Sequence, residues 1–276
     1  MSIKVIATDL DGTFLDAKGE FDKERFTTVL NELDARGIRF VAATGNGMRR
    51  IKMIFDGFLD RISYVAENGS YVLDQGKVLV HQSLDREDVM AFLEFFKDKW
   101  EDYHITVAYE DVTYTVSDRF GVDTFTGIAP EQMALFQAML RKIDSFSDLP
   151  DGKIMKLGMI LPVDECDAIM TDFNTTFSGN LIAVTSGYGA VDVMPRGIHK
   201  AWGLMQLLER WGVAPSEVIA FGDGGNDLEM LELVEYSYAM DNAPDKVKEV
   251  AKFVAPDHDQ SGVLEVIEAY LRETAN

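Results

Sequence analysis

The stretch IATDLDGTFLD, residues 6–16, sets Asp9 and Asp11 on either side of Leu10, directly after the apolar run Val5-Ile6-Ala7. Ile3–Thr8 reads as a strand, and Gly12-Thr13 follows the acidic pair. Phe26, Val29, Leu30 and Leu33 then recur at the spacing of one helix face, and Gly37 supplies a stop. IRFVAAT (Ile38–Thr44) is a continuous apolar run, the pattern of a strand buried on both faces of a parallel sheet. The first 44 residues therefore predict a right-handed β-α-β unit. In such a sheet ligands bind beyond the carboxyl ends of the strands, which is where Asp9 and Asp11 fall.

Two adjacent carboxylates raise each other's pKa and are costly without a counter-charge. A hard divalent cation such as Mg2+ resolves the conflict, as does holding one carboxylate protonated as a general acid. Asp-Gly is also ordinary turn chemistry. A second acidic cluster, FGDGGND (Phe221–Asp227), again ends an apolar strand. It carries Asp223 and Asp227 among glycines that let a ligand approach the backbone, and it is not the G-x-G-x-x-G dinucleotide fingerprint. Together the two clusters could give one Mg2+ three carboxylate contacts.

ATGN (Ala43–Asn46) ends the second predicted strand. The Thr44 hydroxyl and the amides after it could bind phosphate oxygens if a helix starts at Met48, although a helix cap at Thr44 or Asn46 is the simpler reading in isolation. Lys200 in GIHKAWGL opens a predicted helix, where the dipole disfavours a cation. A nearby anion would explain it, but taken alone it reads as a surface lysine.

Elsewhere a third strand is expected at Tyr64–Ala66 and a hairpin over Tyr71–Val80, turning at Asp74–Lys77. From Ser83 the rhythm changes. Val89, Phe92, Leu93, Phe96 and Trp100 mark a helix capped by Asp85 or Ser83. Strands at 104–109 and 113–117, a helix at 130–143, a strand at 154–161, a helix at 163–173 and strands at 181–186 and 190–194 follow. Short connections between strand pairs mark this middle as an inserted α+β domain. Alternation resumes at Ile198. The expected domains are a core over 1–83 and 195–276 and a cap over 84–194.

The chain has 276 residues, enough for two modest domains, and a net charge of −21. That charge argues against nucleic acid and anionic membranes as partners. One cysteine, Cys166, allows no intrachain disulfide and fits a reducing compartment. The start shows no signal-peptide pattern, and no apolar run reaches the ~18 residues of a membrane span. A cytoplasmic location is expected. The four histidines are too scattered for a zinc site.

In this order Asp9–Thr13, Thr44-Gly45, Lys200 and Gly222–Asp227 resemble the motifs of the haloacid dehalogenase superfamily of phosphotransferases. The insert between the second and third motifs resembles the C2B cap of its Cof-type subfamily, and ENGS (67–70), AMDNAPDKVK (239–248) and DQSGV (259–263) are similar to Cof-type features. The resemblance covers essentially the whole chain. It implies an α/β fold, a doubly wound and mostly parallel core sheet with an inserted α+β cap. It also implies a Mg2+-dependent phosphatase that hydrolyses small phosphomonoesters through an aspartyl-phosphate. Asp9 would be the nucleophile and Asp11 the general acid and base. Mg2+ would be held by Asp9, the Asp11 backbone carbonyl and Asp223. Thr44, Gly45, Lys200 and Asn226 would hold phosphate, and Asp227 would orient Lys200 or the metal shell. Asp11, a water-activating acid, makes a dehalogenase an unsuitable reading.

Many Cof-type members have Arg where this chain has Asn46; the variant resembles a subgroup associated with sugar phosphates. Arg49 and Arg50, a helical turn further on, could compensate for Asn46, but the simpler reading of both is a solvated helix face. The cap is expected to close over the core and bring specificity residues to the leaving group. Tyr188, Arg119 and Phe120 are the candidates, with Asn46; Asn68 either faces the cleft or sits in a turn. Phe92, Phe95, Phe96 and Trp100 read as core, and Cys166 as a packed thiol. Alternative reactions are a sugar phosphomutase, a phosphatase of pyridoxal phosphate or flavin-precursor phosphates, and a non-enzymatic phospho-aspartate regulator. The expected partner is a small phosphomonoester, and the expected state a monomer or weak homodimer.

Overall fold

The opening apolar run is β1 (Val5–Thr8), buried at every position in a computed structural model that describes residues 3–118, 137–187 and 189–274. α1 (Lys23–Ala35) starts at Asp22, whose side chain accepts from the Arg25 amide, and Gly37 leaves it with φ 69°. β2 (Arg39–Ala43) lies parallel to β1. α2 (Met48–Ile54) leads to β3 (Ser63–Ala66), parallel to β2. β4 (Tyr71–Asp74) and β5 (Lys77–His81) complete an antiparallel edge. Gln75 and Gly76 join them at φ 45° and 84°, the conformation a two-residue hairpin requires.

The chain then forms α3 (Arg86–Phe95), β6 (Thr106–Ala108), β7 (Thr113–Thr115), β8 (Leu140–Lys142), β9 (Lys156–Ile160), α4 (Cys166–Thr176), β10 (Leu181–Gly187) and β11 (Ala190–Pro195). It returns through α5 (Lys200–Trp211), β12 (Val218–Gly222), α6 (Leu228–Leu233), β13 (Tyr236–Met240), α7 (Asp245–Lys248), β14 (Phe253–Ala255) and α8 (Gly262–Glu273). Contacts group the chain into two units, Met1–His81 with His199–Asn276, and Gln82–Ile198.

Among the described residues the first unit is one eight-stranded sheet, ordered β14-β13-β12-β1-β2-β3-β4-β5. The strands from β14 to β3 are parallel. The period of two sends alternate residues to opposite faces. Ile6, Phe40 and Ala42 pack with Phe26, Leu33, Val263 and Ile267 of α1 and α8. Val5, Ala7, Val41 and Ala43 pack with Leu204, Leu208 and Met230 of α5 and α6. With both faces covered, no polar alternation is needed, which is why β1 and β2 read as unbroken apolar runs. The strand order reverses where β1 meets β12, the crevice in which such sheets bind ligands.

The second unit is a six-stranded sheet, β10-β11-β9-β6-β7-β8, antiparallel except for β7 and β8. The helix expected over 130–143 is corrected at its end: Leu140–Lys142 is a strand, with Leu140 opposite Thr113. Edge pairing with β7 overrides the local helical pattern there; residues 130–136 of that expectation lie outside the described residues. Trp100 lies beyond the end of α3. Phe92 and Phe96 are core, but Phe95 is 40% exposed, because it sits at the rim of the Phe96–Phe173–Phe177 ring cluster. Cys166 is buried, as expected of a packed thiol. No helix among the described residues is long and apolar enough to cross a membrane.

Candidate active site

β1 delivers Asp9 to the crevice. Its amide donates to the Phe221 carbonyl of β12 at 3.0 Å, so the two acid-bearing strand ends are tied together. Asp9 is 7% exposed. The chain then turns through Leu10–Phe14, where Asp11 is extended and Gly12 is left-handed at φ 74°. A Cβ at Gly12 would come within 2.4 Å of the Asp223 Oδ2, so only glycine lets this turn meet the β12 loop. Thr13 closes the junction, donating from Oγ1 to Asp223 Oδ1 at 2.7 Å.

Lys200 is fully buried at the first position of α5, which corrects the surface-lysine reading. Its Nζ lies 2.8 Å from Asp9 Oδ1 and 2.7 Å from Asp227 Oδ1. These carboxylates outweigh the unfavourable helix dipole at that position. Asp227 Oδ2 accepts from the Asp223 and Gly224 amides at 3.0 and 2.9 Å. Both Asp227 oxygens are thus engaged, one by Lys200 and the other by the loop amides. Asp9, Asp223 and Asp227 each offer a carboxylate oxygen within 4.8 Å of the others.

Burial pushes the Asp9 carboxyl well above the ordinary range, and the Asp227 charge adds to this against the pull of Lys200. Burial, then Asp227, pushes Asp223 up to about 6. Burial alone would lower the Lys200 pKa, but Asp227 and Asp9 raise it, so the ammonium stays charged. One cation cannot offset three acids. The donor set is all oxygen, and among the described residues Asp9 and Asp223 are the members not saturated by protein donors. These residues fit a hard divalent cation.

The same shift sets a pH dependence. Below about pH 4 both folded and unfolded Asp223 carry a proton; between the ordinary 3.8 and about 6 only the folded form holds it. Stability of the metal-free protein from this group is therefore lost as pH rises through 6. Asp223→Asn should be more stable than wild type in EDTA at pH 8, by on the order of 1–3 kcal/mol, with the gap closing by pH 4. Paired thermal melts check this; a gap that is constant across pH contradicts it.

Thr44 is buried. The expected helix cap is corrected: α2 is capped by Gly47, without a side-chain bond. The Thr44 Oγ1 instead accepts from the Asn46 amide and Nδ2 at 3.1 and 2.8 Å. Asn226 Nδ2 donates to Asn68 Oδ1 at 3.0 Å, and Asn68 is 1% exposed. Asn68 is therefore an internal strut, its amide bonded to the Thr44 carbonyl. Gly45 follows Thr44 at this strand end. The crevice thus gathers Asp9, Asp11, Asp223, Thr44, Gly45, Lys200, Asn226, Asp227 and Asn46. Arg119, Phe120 and Tyr188 lie outside the described residues.

Sequence reasoning missed two residues. Arg50 does not lie on a solvated face: it pairs with Asp11 through Nη2 to Oδ1 at 2.5 Å. α2 starts after its cap at Gly47, and its first turn carries Arg50 to the acidic loop. His199 caps α5, accepting from the Trp202 amide at 3.2 Å. The signal for His199 was its place just before a helical run; for Arg50 it was a basic pair one turn after Asn46, which the simpler solvated reading outweighed.

The family described as haloacid dehalogenase-like hydrolase matches residues 6–267. The 5-amino-6-(5-phospho-D-ribitylamino)uracil phosphatase YbjI of Escherichia coli (strain K12) is 34% identical, over 100% of this chain and 98% of its own. The similarly named YwtE of Bacillus subtilis (strain 168) is 26% identical, over 98% of this chain and 98% of its own. The crystal structure of SMU.1108c from Streptococcus mutans UA159 is 37% identical with TM-score 0.87, covering 98% of this chain and 100% of that one.

Proposed function

We propose, from the premise that this chain belongs to the haloacid dehalogenase-like hydrolases of the Cof type and hydrolyses phosphoric monoesters, that Asp9 forms a covalent aspartyl-phosphate in a Mg2+-dependent reaction. The observation that carries the reading is Asp9 held against buried Lys200 beside Asp223 and Asp227.

Lys200 keeps Asp9 aimed and neutralises part of the incoming phosphate charge. The Asp9 oxygen attacks phosphorus and the bond to the leaving oxygen breaks. Asp11 gives that oxygen a proton and then takes one from the water that attacks the aspartyl-phosphate. Thr44, the Gly45 amide and Asn226 hold the phosphoryl oxygens, and Asp227 orients Lys200. Mg2+ would be held by the Asp9 and Asp223 carboxylates and the Asp11 backbone carbonyl, and when bound would stabilise charge on the transferring group.

We assign the substrate class as phosphomonoesters of sugars and sugar alcohols. Its support is the 34% identical relative named for a phospho-D-ribityl substrate, aligned over the whole chain. The second unit is assigned the role of cap domain. The reading places the protein in the cytoplasm as a monomer or weak homodimer, without nucleic-acid or membrane partners.

The test is phosphate release from a panel of sugar phosphates, a ribitylaminouracil phosphate and pyridoxal phosphate, with Mg2+ and with EDTA. Release should require Mg2+, and the sugar or ribityl esters should exceed pyridoxal phosphate in kcat/KM by at least about tenfold, within reach of pocket discrimination. Preference for pyridoxal phosphate overturns the substrate class, and full activity in EDTA overturns the metal. Isomer formation without phosphate release would instead make the protein a mutase.

A further inference from the structure

We propose that Arg50, with Asn46, is the positioning residue that aims the Asp11 carboxyl group at the leaving-group oxygen. The inference rests on the reading of Asp11 as general acid and base.

The side chain of Asp11 is half exposed, at 50%. It sits on an extended residue next to a left-handed glycine. Its carboxylate is held from the strand-end loop and α2. Arg50 Nη2 donates to Oδ1 at 2.5 Å and Arg50 Nη1 to Oδ2 at 2.9 Å, a bidentate fork. Asn46 Nδ2 donates to the same Oδ2 at 2.7 Å.

The Asn46 amide is engaged on every side. Its Nδ2 also donates to Thr44 Oγ1 at 2.8 Å, and its Oδ1 accepts from Arg50 Nη1 at 2.6 Å. Asn46 and Arg50 are four residues apart, so the first turn of α2 brings the two side chains together. A continuous chain of hydrogen bonds therefore runs from Thr44, expected on the phosphate, to Asp11, expected on the leaving oxygen. An arginine at position 46 could not accept from Arg50, so the network needs an amide there.

The two Asp11 oxygens are not equivalent. Among the described residues Oδ2 has two donors and is the anchored atom, and Oδ1 has one. Oδ1 can carry a proton while Oδ2 keeps both of its bonds. In the first step the Oδ1 proton passes to the leaving oxygen as the P–O bond breaks. In the second a water proton returns to Oδ1 as the water oxygen attacks phosphorus. A half-exposed ion pair adds little to stability, so the value of the fork lies in fixing one rotamer of a half-exposed acid.

A general acid matters for an alkyl leaving group and hardly at all for p-nitrophenolate, which departs without a proton. The experiment measures kcat/KM, which reports phosphoryl transfer, for a sugar phosphate and for p-nitrophenyl phosphate. It compares wild type, Asp11→Asn, Arg50→Ala, Arg50→Lys and Arg49→Ala, with thermal melts on each. Arg49 is exposed on the same helix and serves as control.

Arg50→Ala should cost the sugar phosphate about 30–300-fold, a part of the roughly 10²–10⁴-fold that general-acid catalysis contributes, and p-nitrophenyl phosphate less than about fivefold. Asp11→Asn should show the same selectivity, more strongly. Arg50→Lys, which keeps the charge and lacks the fork, should recover only part. Arg49→Ala should match wild type. Should Arg50→Ala not fold, the lysine variant carries the same comparison. Equal losses on both substrates for Arg50→Ala, or no loss, alongside a selective Asp11→Asn, overturn the inference alone, as does complete recovery by lysine. Equal losses for Asp11→Asn remove the acid role itself, and the inference with it.

Discussion

Asp9→Asn abolishes turnover of every phosphomonoester, a fall in kcat of at least about 10⁴-fold, as expected when a covalent nucleophile is removed. The amide is nearly isosteric and its Oδ1 can still accept from Lys200, which lies 2.8 Å from Asp9 Oδ1 in the wild type. The fold should therefore survive. Indeed, burial and the Asp227 charge raise the Asp9 pKa, so the metal-free fold loses stability relative to the unfolded chain as pH rises above the ordinary 3.8. The variant should consequently melt no lower than wild type in EDTA at pH 8. Activity assays and melts on one preparation check both halves. Residual activity above about 1% of wild type removes Asp9 as nucleophile, because a positioning carboxylate alone does not account for the full loss.

Lys200→Met is the second large effect. The ammonium is fully buried between Asp9 and Asp227, and its removal leaves three carboxylates around one crevice. Deleting one partner of a buried pair costs about 3–5 kcal/mol, because the other charge stays buried and uncompensated. For a chain of this size that is a fall in Tm of roughly 10 °C. Activity should fall by at least about 10³-fold, since the lysine also balances the incoming phosphate. Mg2+ should restore part of the Tm, supplying positive charge where the ammonium was lost. Adding Asp227→Asn to Lys200→Met should recover stability too, which a double-mutant cycle quantifies. A Lys200→Met protein melting within about 2 °C of wild type would show that this ion pair is not under the burial described.

Much of the site was legible in the sequence because it sits where apolar runs end. β1, β2 and β12 are buried on both faces, and the polar residues directly after them, Asp9, Thr44 and Asp223, must lie at one sheet edge. The hairpin at Gln75-Gly76 and the cap at Asp85 were legible for the same local reason. Lys200 was not legible by itself, since nothing near it in the chain reveals that carboxylates from β1 and the β12 loop surround it. Only its order among the other motifs did so. Arg50 was hidden for a similar reason: a basic residue on a short helix looks solvated until the direction of the helix is known. β8 shows the opposite failure, where a helical pattern was overruled by the free edge of β7. Asn46 and Thr44 looked like caps, but Gly47 caps α2, which leaves the two side chains to meet each other and Asn46 to reach Asp11.

Peptide mapping of a trapped phosphoenzyme tests the central claim most directly. Asp11→Asn protein with Mg2+ is mixed with p-nitrophenyl phosphate, quenched in acid within seconds and digested. One added phosphoryl mass should appear on the peptide containing Asp9, and should be absent when Asp9→Asn is introduced as well. A phosphoryl group on any other residue, or none at all while p-nitrophenolate is released in a burst, contradicts the account.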